Sequence, residues 1–280
     1  MPNVIILTHI IHMQASTYLP YLATALIYIC VAVHFWRNQT SATPSVRWHS
    51  GLIALGLAIH GGLLYQDIFI GDLNLNIANA LSLIFWLTVL IYWVADFKHQ
   101  LQSLQALVLP PAALTVLLQA ALHDNVVVAF AKDPLFITHI VIAMLAYSLF
   151  TFAALHAVLM AAAERALHKK TSLLNLAKLP PLMTMESLLF RVIKLGFLLL
   201  TFTLVSGMLF SEQIFHQALK FNHKNIFTII SWLIFGSLLL GRARYGWRGR
   251  TAIRWTLTGF VVLMLAYVGS KFVIEVLLNR

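Results

Sequence analysis

Pro134–Arg165 reads PLFITHIVIAMLAYSLFTFAALHAVLMAAAER. The run is long and apolar enough to cross a bilayer as a helix, for which about 20 apolar residues suffice. It carries two imidazoles, His139 near its start and His156 near its end. An ionisable side chain inside a span is costly, so it marks a functional position by default.

The rest of the chain has the same character. It has 280 residues, 60% hydrophobic and 10% charged, with a mean hydropathy of +0.85. No soluble domain of this size is that apolar. The single cysteine, Cys30, falls within an apolar run, which excludes a disulfide framework and a Cys-based metal site. The net charge of +10 would suit nucleic acid, but the basic residues sit in short segments between spans, where they set orientation. The start lacks basic residues ahead of its apolar part, so no cleaved signal peptide is expected.

Hydropathy predicts about eight spans, at 18–36, 48–66, 76–95, 101–122, 134–163, 189–210, 225–241 and 252–274. Backbone polar groups in lipid must be satisfied within the segment, so these are helices. The expected fold is an all-α, polytopic membrane bundle. Residues 1–17 form an outer tail and residues 18–280 a single transmembrane domain. Pro110-Pro111 should kink the fourth helix. Fourteen of the 19 basic residues fall on one set of connecting segments, which the positive-inside rule places in the cytoplasm. Both termini are then outside, in a bacterial-type inner membrane.

Depth sorts the histidines. His139 lies roughly 7–8 Å from the outer end of its helix, and His60 roughly 9–13 Å from the outer end of the second, at 1.5 Å per residue. His156 is roughly 25 Å deeper than His139 and cannot share its site. Gly51, Gly56, Gly61 and Gly62 thin the second helix around His60, permitting close approach of another backbone or a flat ligand. Two histidines from different helices at matching depth suit bis-histidine axial ligation of a haem, here haem b. Lys271, Lys132 and the Lys220/Lys224 pair stand on the side where propionates would need cations. His216 and His223, seven apart, would share a helix face near that site, or belong to a surface amphipathic helix. The bland alternative is that His60 and His139 each bond a neighbouring helix. His9 and His12 fit an interface-lying tail better than a metal site. Trp86 could pack against a cofactor, though core packing is its commoner role.

Several segments carry a family resemblance: HIVIAMLAYSLFTFAAL, FRVIKLGFLLLTFTLVSGMLF, ISWLIFGSLLLGRARYGWRGR and LAYVGSK, with KLPPLMTMES between the first two. In order and spacing they resemble the cytochrome c assembly proteins of CcsA-, HemX- and YpjD-like type, the last most of all. The resemblance implies haem binding and a part in cytochrome complex assembly, with His139 matching a family histidine. It also shows departures. Where haem-handling members have a Trp-rich outer motif, this chain has Phe215, His216, Leu219, Phe221 and Asn222. Where they have two further histidines, it has Leu240 and apolar residues near Leu278. Covalent attachment of haem to an apocytochrome is therefore not implied.

The leading expectation is a haem-binding integral membrane protein of cytochrome c-type biogenesis. One alternative is a non-haem scaffold or regulator, engaging a membrane or cytoplasmic protein through its basic inner segments. Another is a small-molecule transporter, against which stand the lack of an internal repeat and the few intramembrane charges. No Ser/His/Asp set, carboxylate pair or phosphate loop marks an enzyme.

Overall fold

The computed structural model describes residues 2–37, 46–69, 73–99, 104–122, 133–169, 181–215 and 223–269. Among these the chain is built from helices: α1 (Pro2–Arg37), α2 (Val46–Phe69), α3 (Ile77–His99), α4 (Gln105–Ala121), α5 (Pro134–Lys169), α6 (Leu182–Phe215), α7 (His223–Tyr245) and α8 (Gly249–Met264). A π-helical turn, Leu265–Gly269, follows α8.

Among the described residues six stretches are long and apolar enough to cross a membrane: Tyr18–Arg37, Trp48–Phe69, Ile77–Phe97, Pro134–Ala166, Leu182–Phe210 and Lys224–Tyr245. They coincide with six of the eight expected spans. The remaining two map to shorter helices, α4 with 17 residues and α8 with 16. The opening stretch of 32 residues grows by a turn, since α5 runs on to Lys169. Likewise α6 starts at Leu182, seven residues ahead of the apolar run that announced it. Helix α4 continues through Pro110 and Pro111, although each proline removes a donor from the i→i−4 ladder.

On α1 the apolar residues encircle the helix and divide by packing. Leu19, Leu22, Leu26, Ile29, Val33 and Trp36 are exposed, while Tyr21, Thr24, Ala25, Tyr28, Val31 and Ala32 are buried. Both sets follow the 3–4 spacing of a helix face. An exposed stripe that stays apolar over five turns is a lipid-facing surface, since in water it would be the polar side.

The helices pack as two compact units, the first holding α1, α2 and α4 with α3 through Trp93, the second α5 to α8. In the first, α1 packs on α4 and α2. Two of the glycines in α2 explain its closeness to its neighbours. A Cβ on Gly56 would stand 2.7 Å from the Tyr28 ring of α1, and one on Gly61 3.2 Å from the Trp86 indole of α3. The close approach expected there is made by aromatic side chains. Trp86 also donates its indole N–H to the Leu57 carbonyl at 2.9 Å, a packing role.

In the second unit α5 packs on α6 and α8, and α7 on α6 and α8. Its core stacks Phe150 on Phe235, 3.9 Å between centroids. The tight α7–α8 turn uses Gly246 (φ 65°) and Gly249 (φ 51°), a left-handed conformation that side chains disfavour. Glu186 of α6 closes this end. Its carboxylate pairs with Arg242 at 2.6 Å and with Arg248 at 3.6 Å. It also accepts the Gly249 backbone N–H at 3.2 Å, placing an anion at the positive start of α8.

Candidate functional site

The two histidines singled out for ligation lie in different units, His60 in the first and His139 in the second. Lys132, Lys271 and His216 lie outside the described residues. So does the side chain of His223, which opens α7. The side chains of His9 and His12 are also outside them.

His139 sits in the second turn of α5, half-buried against α6. Its Nδ1 is 2.7 Å from Ser206 Oγ. The Ser206 hydroxyl donates to the Phe202 carbonyl at 2.7 Å, so its oxygen presents a lone pair and the imidazole must be the donor. That fixes the ring proton on Nδ1 and leaves the Nε2 lone pair unused by any hydrogen bond among the described residues. A metal-ligating histidine is held in this way, with the far nitrogen tied to a neighbouring acceptor. The ring is bracketed by Phe136, nearly parallel at 6.5 Å, and Phe210, edge-on at 5.8 Å. Gly207 of α6 lies beside the ring, where a Cβ would make an ordinary 3.4 Å contact with His139 Cε1. The Lys224 ammonium stands 5.8 Å over the Tyr267 ring, which meets Tyr147 at 5.4 Å.

His60 is fully buried and engaged at both ring nitrogens. Nε2 is 2.8 Å from Ser82 Oγ, and Nδ1 is 3.4 Å from the Tyr28 hydroxyl. Beyond Ser82 the polar contacts continue. The Ser82 hydroxyl donates to Gln119 Oε1 at 2.6 Å, and Gln119 Nε2 donates to Asp67 Oδ2 at 2.9 Å. Tyr21 donates to the same oxygen at 2.7 Å. Sequence reading missed this chain. The available signal was spacing, since Tyr21 and Tyr28 on α1, and His60 and Asp67 on α2, are both seven apart and so share helix faces.

His156 is fully buried and bonds the Met185 carbonyl at 2.9 Å. Trp93 donates to the Ser50 carbonyl at 3.1 Å. Both sit in structural roles.

The donor chemistry fits a haem unequally at the two histidines. At His139 one ring nitrogen has no hydrogen-bond partner among the described residues, and it lies beside Phe136, Phe210 and Gly207. At His60 both ring nitrogens already have partners, Ser82 at 2.8 Å and the longer contact to Tyr28. Among the described residues no group of three or more His, Cys, Asp or Glu side chains could hold a bare metal ion.

Residues 48–278 match the sequence family described as cytochrome C assembly protein. The inner membrane protein YpjD of Escherichia coli K12 is 28% identical over 200 residues, covering 71% of this chain and 75% of that protein. The cytochrome c biogenesis protein CcsA of Prochlorococcus marinus is 32% identical over 88 residues, 31% of this chain and 28% of that protein. CcsA of Nostoc punctiforme is 33% identical over 86 residues, again 31% of this chain and 24% of its own length. The family match takes in α2 to α8, hence both histidines, and the chain belongs to the cytochrome c assembly protein family.

Proposed function

We propose that this protein binds haem b within the membrane and serves cytochrome c-type biogenesis without itself attaching haem covalently. The observation that carries the reading is the state of His139, its Nδ1 anchored on Ser206 and its Nε2 lone pair open. It occurs in a member of the cytochrome c assembly family. On this reading His139 would be one residue holding the haem iron, and His60 would be the other, through Nδ1, in place of its 3.4 Å contact to Tyr28. Bound haem would supply an iron able to change oxidation state, while the chain's residues hold, orient and shield it. Lys224 is a propionate partner, together with Lys132 and Lys271, because buried-edge carboxylates need charge-assisted donors. The absence of the Trp-rich motif supports a handling role and not ligation to an apocytochrome.

The proposal includes the topology: eight spans, with α4 and α8 completing the six longer helices. Both termini lie outside, in a bacterial inner membrane. The basic inner segments face anionic lipid and offer a surface to a protein partner.

The test is an absorbance spectrum of detergent-purified protein, oxidised and reduced, produced with ample haem. A Soret band of bis-histidine character is expected, lost in His139→Ala and altered in His60→Ala. Colourless wild-type protein would refute haem binding and favour the scaffold reading. A spectrum unchanged in both variants would refute the ligand assignment.

A further inference from the structure

The six side chains Tyr28, His60, Ser82, Gln119, Asp67 and Tyr21 form one hydrogen-bonded chain across α1, α2, α3 and α4. We propose that Asp67 is the positioning residue of His60, selecting through Gln119 and Ser82 which ring nitrogen carries the proton.

The direction of every bond follows from the Asp67 end. An ionised carboxylate only accepts, and here one oxygen takes bonds from both Tyr21 and Gln119. Gln119 must therefore turn its amide nitrogen to Asp67 and its oxygen to Ser82. The Ser82 hydroxyl must donate to that oxygen, 2.6 Å away, and so must accept from His60 Nε2–H at 2.8 Å. The single proton of the neutral imidazole is thereby held on Nε2, and the lone pair stands on Nδ1 towards Tyr28. Reversing one member would set donor against donor or acceptor against acceptor, at a buried site where an unmade bond is expensive.

The geometry makes this action at a distance. Asp67 and His60 are seven residues apart on one face of α2, about 10 Å at 1.5 Å per residue, and do not touch. Asp67 is partly exposed, whereas His60 and Ser82 are fully buried and Gln119 is 1% exposed. Removing the charge frees Gln119 to flip. In the flipped chain its amide donates to Ser82, Ser82 donates to Nε2, and His60 stays neutral with its one proton on Nδ1. No proton is gained or lost at the imidazole between these forms. The purpose of the device rests on the haem reading, because Nδ1 is the atom that would meet iron, but its geometry does not.

The experiment uses the full-length, haem-free protein labelled with 15N-histidine in detergent, with His60 signals identified by their loss in His60→Gln. Nitrogen NMR distinguishes a protonated from an unprotonated ring nitrogen directly. Wild type is expected to show His60 protonated on Nε2. In Asp67→Asn the ratio of Nε2–H to Nδ1–H forms should fall at least tenfold. The double variant Asp67→Asn/Gln119→Glu, which moves the carboxylate one step along the chain, should restore the Nε2–H form. An unchanged tautomer in Asp67→Asn would overturn the proposal, and so would a double variant that fails to restore it. Should Asp67→Asn not fold, Gln119→Leu cuts the chain at its middle. There Nδ1–H is expected, and a retained Nε2–H form overturns the proposal equally. Protein that binds no haem yet shows this response keeps the positioning role and loses the haem reading. Protein that loads haem with an insensitive tautomer does the reverse.

Discussion

Ser206 Oγ lies 2.7 Å from His139 Nδ1, joining α5 to α6 across 67 residues of sequence. The serine hydroxyl donates its hydrogen bond to the Phe202 carbonyl, so towards the imidazole it serves as an acceptor. Ser206→Ala removes that acceptor without adding bulk. The ring then loses its orientation and its fixed tautomer, and second-shell losses of this kind weaken metal binding by about 10–100-fold. Haem titration of purified Ser206→Ala should show that loss while the protein folds normally. Ser206→Thr, which keeps the hydroxyl, should lose less. Equal affinity in wild type and Ser206→Ala would mean that the bond does not serve ligation.

Two glycines of one helix make a paired stability test. Gly56 faces the Tyr28 ring at a distance no Cβ tolerates, while Gly62 faces open space. Gly56→Ala should destabilise by about 1–3 kcal/mol, the usual cost of overpacking. Gly62→Ala should be neutral or stabilising by up to about 1 kcal/mol, because alanine is the better helix former. Thermal unfolding in detergent reads both. A lower midpoint for Gly62→Ala than for Gly56→Ala would contradict the packing described around α2.

The helices were legible because hydropathy is a local signal, as is the presence of an imidazole such as His139 within a span. Ser206 was not, since nothing near residue 206 shows that its hydroxyl faces a histidine on another helix. Asp67 and Gln119 were not legible as partners of His60, because a chain that visits four helices has no linear period. Glycines around His60 announced close approach but not its partner, since a bare Cα accepts a backbone, an indole or a haem edge equally. The basic run GRARYGWRGR read as an orientation signal and as part of a family resemblance, with no partner named for its arginines. Its use of Arg242 and Arg248 to neutralise Glu186 depends on α6 arriving beside it.

Glu186 and Glu164 both pair with arginines in the second unit but differ in burial. The Glu186 side chain is 9% exposed, and it also serves the first N–H of α8. Glu164 is 25% exposed and its partner Arg250 62%. Glu186→Gln should cost about 1.5–3 kcal/mol, the range for bonds to a charged group. Glu164→Gln should cost under about 1 kcal/mol, as for exposed pairs. Unfolding midpoints at low and high salt separate them further. The Glu164 difference should fade with salt, which screens exposed pairs and spares buried ones. Equal costs would remove the special role given to Glu186 at the α7–α8 turn.

Topology can be decided with the chain's own chemistry, because Cys30 is its sole cysteine and Cys30→Ala supplies a blank background. Helix α4, at 17 residues, is about 25 Å long at 1.5 Å per residue, short against a hydrocarbon core of about 30 Å. Whether it crosses is therefore the sharpest question. Gln100→Cys and Asn125→Cys flank it, and Arg244→Cys and Asn279→Cys flank α8. With eight spans and outer termini, a membrane-impermeant maleimide should label the cysteines at 125 and 279 in intact bacterial cells. Those at 100 and 244 should react only after lysis. Labelling of both sites around α4 from one side would show that it does not span, and the same result around α8 would remove that span. An inverted pattern at all four sites would overturn the orientation drawn from the 14 basic residues on the inner segments. It would also put the His139 end of α5, five residues from its start, on the cytoplasmic side.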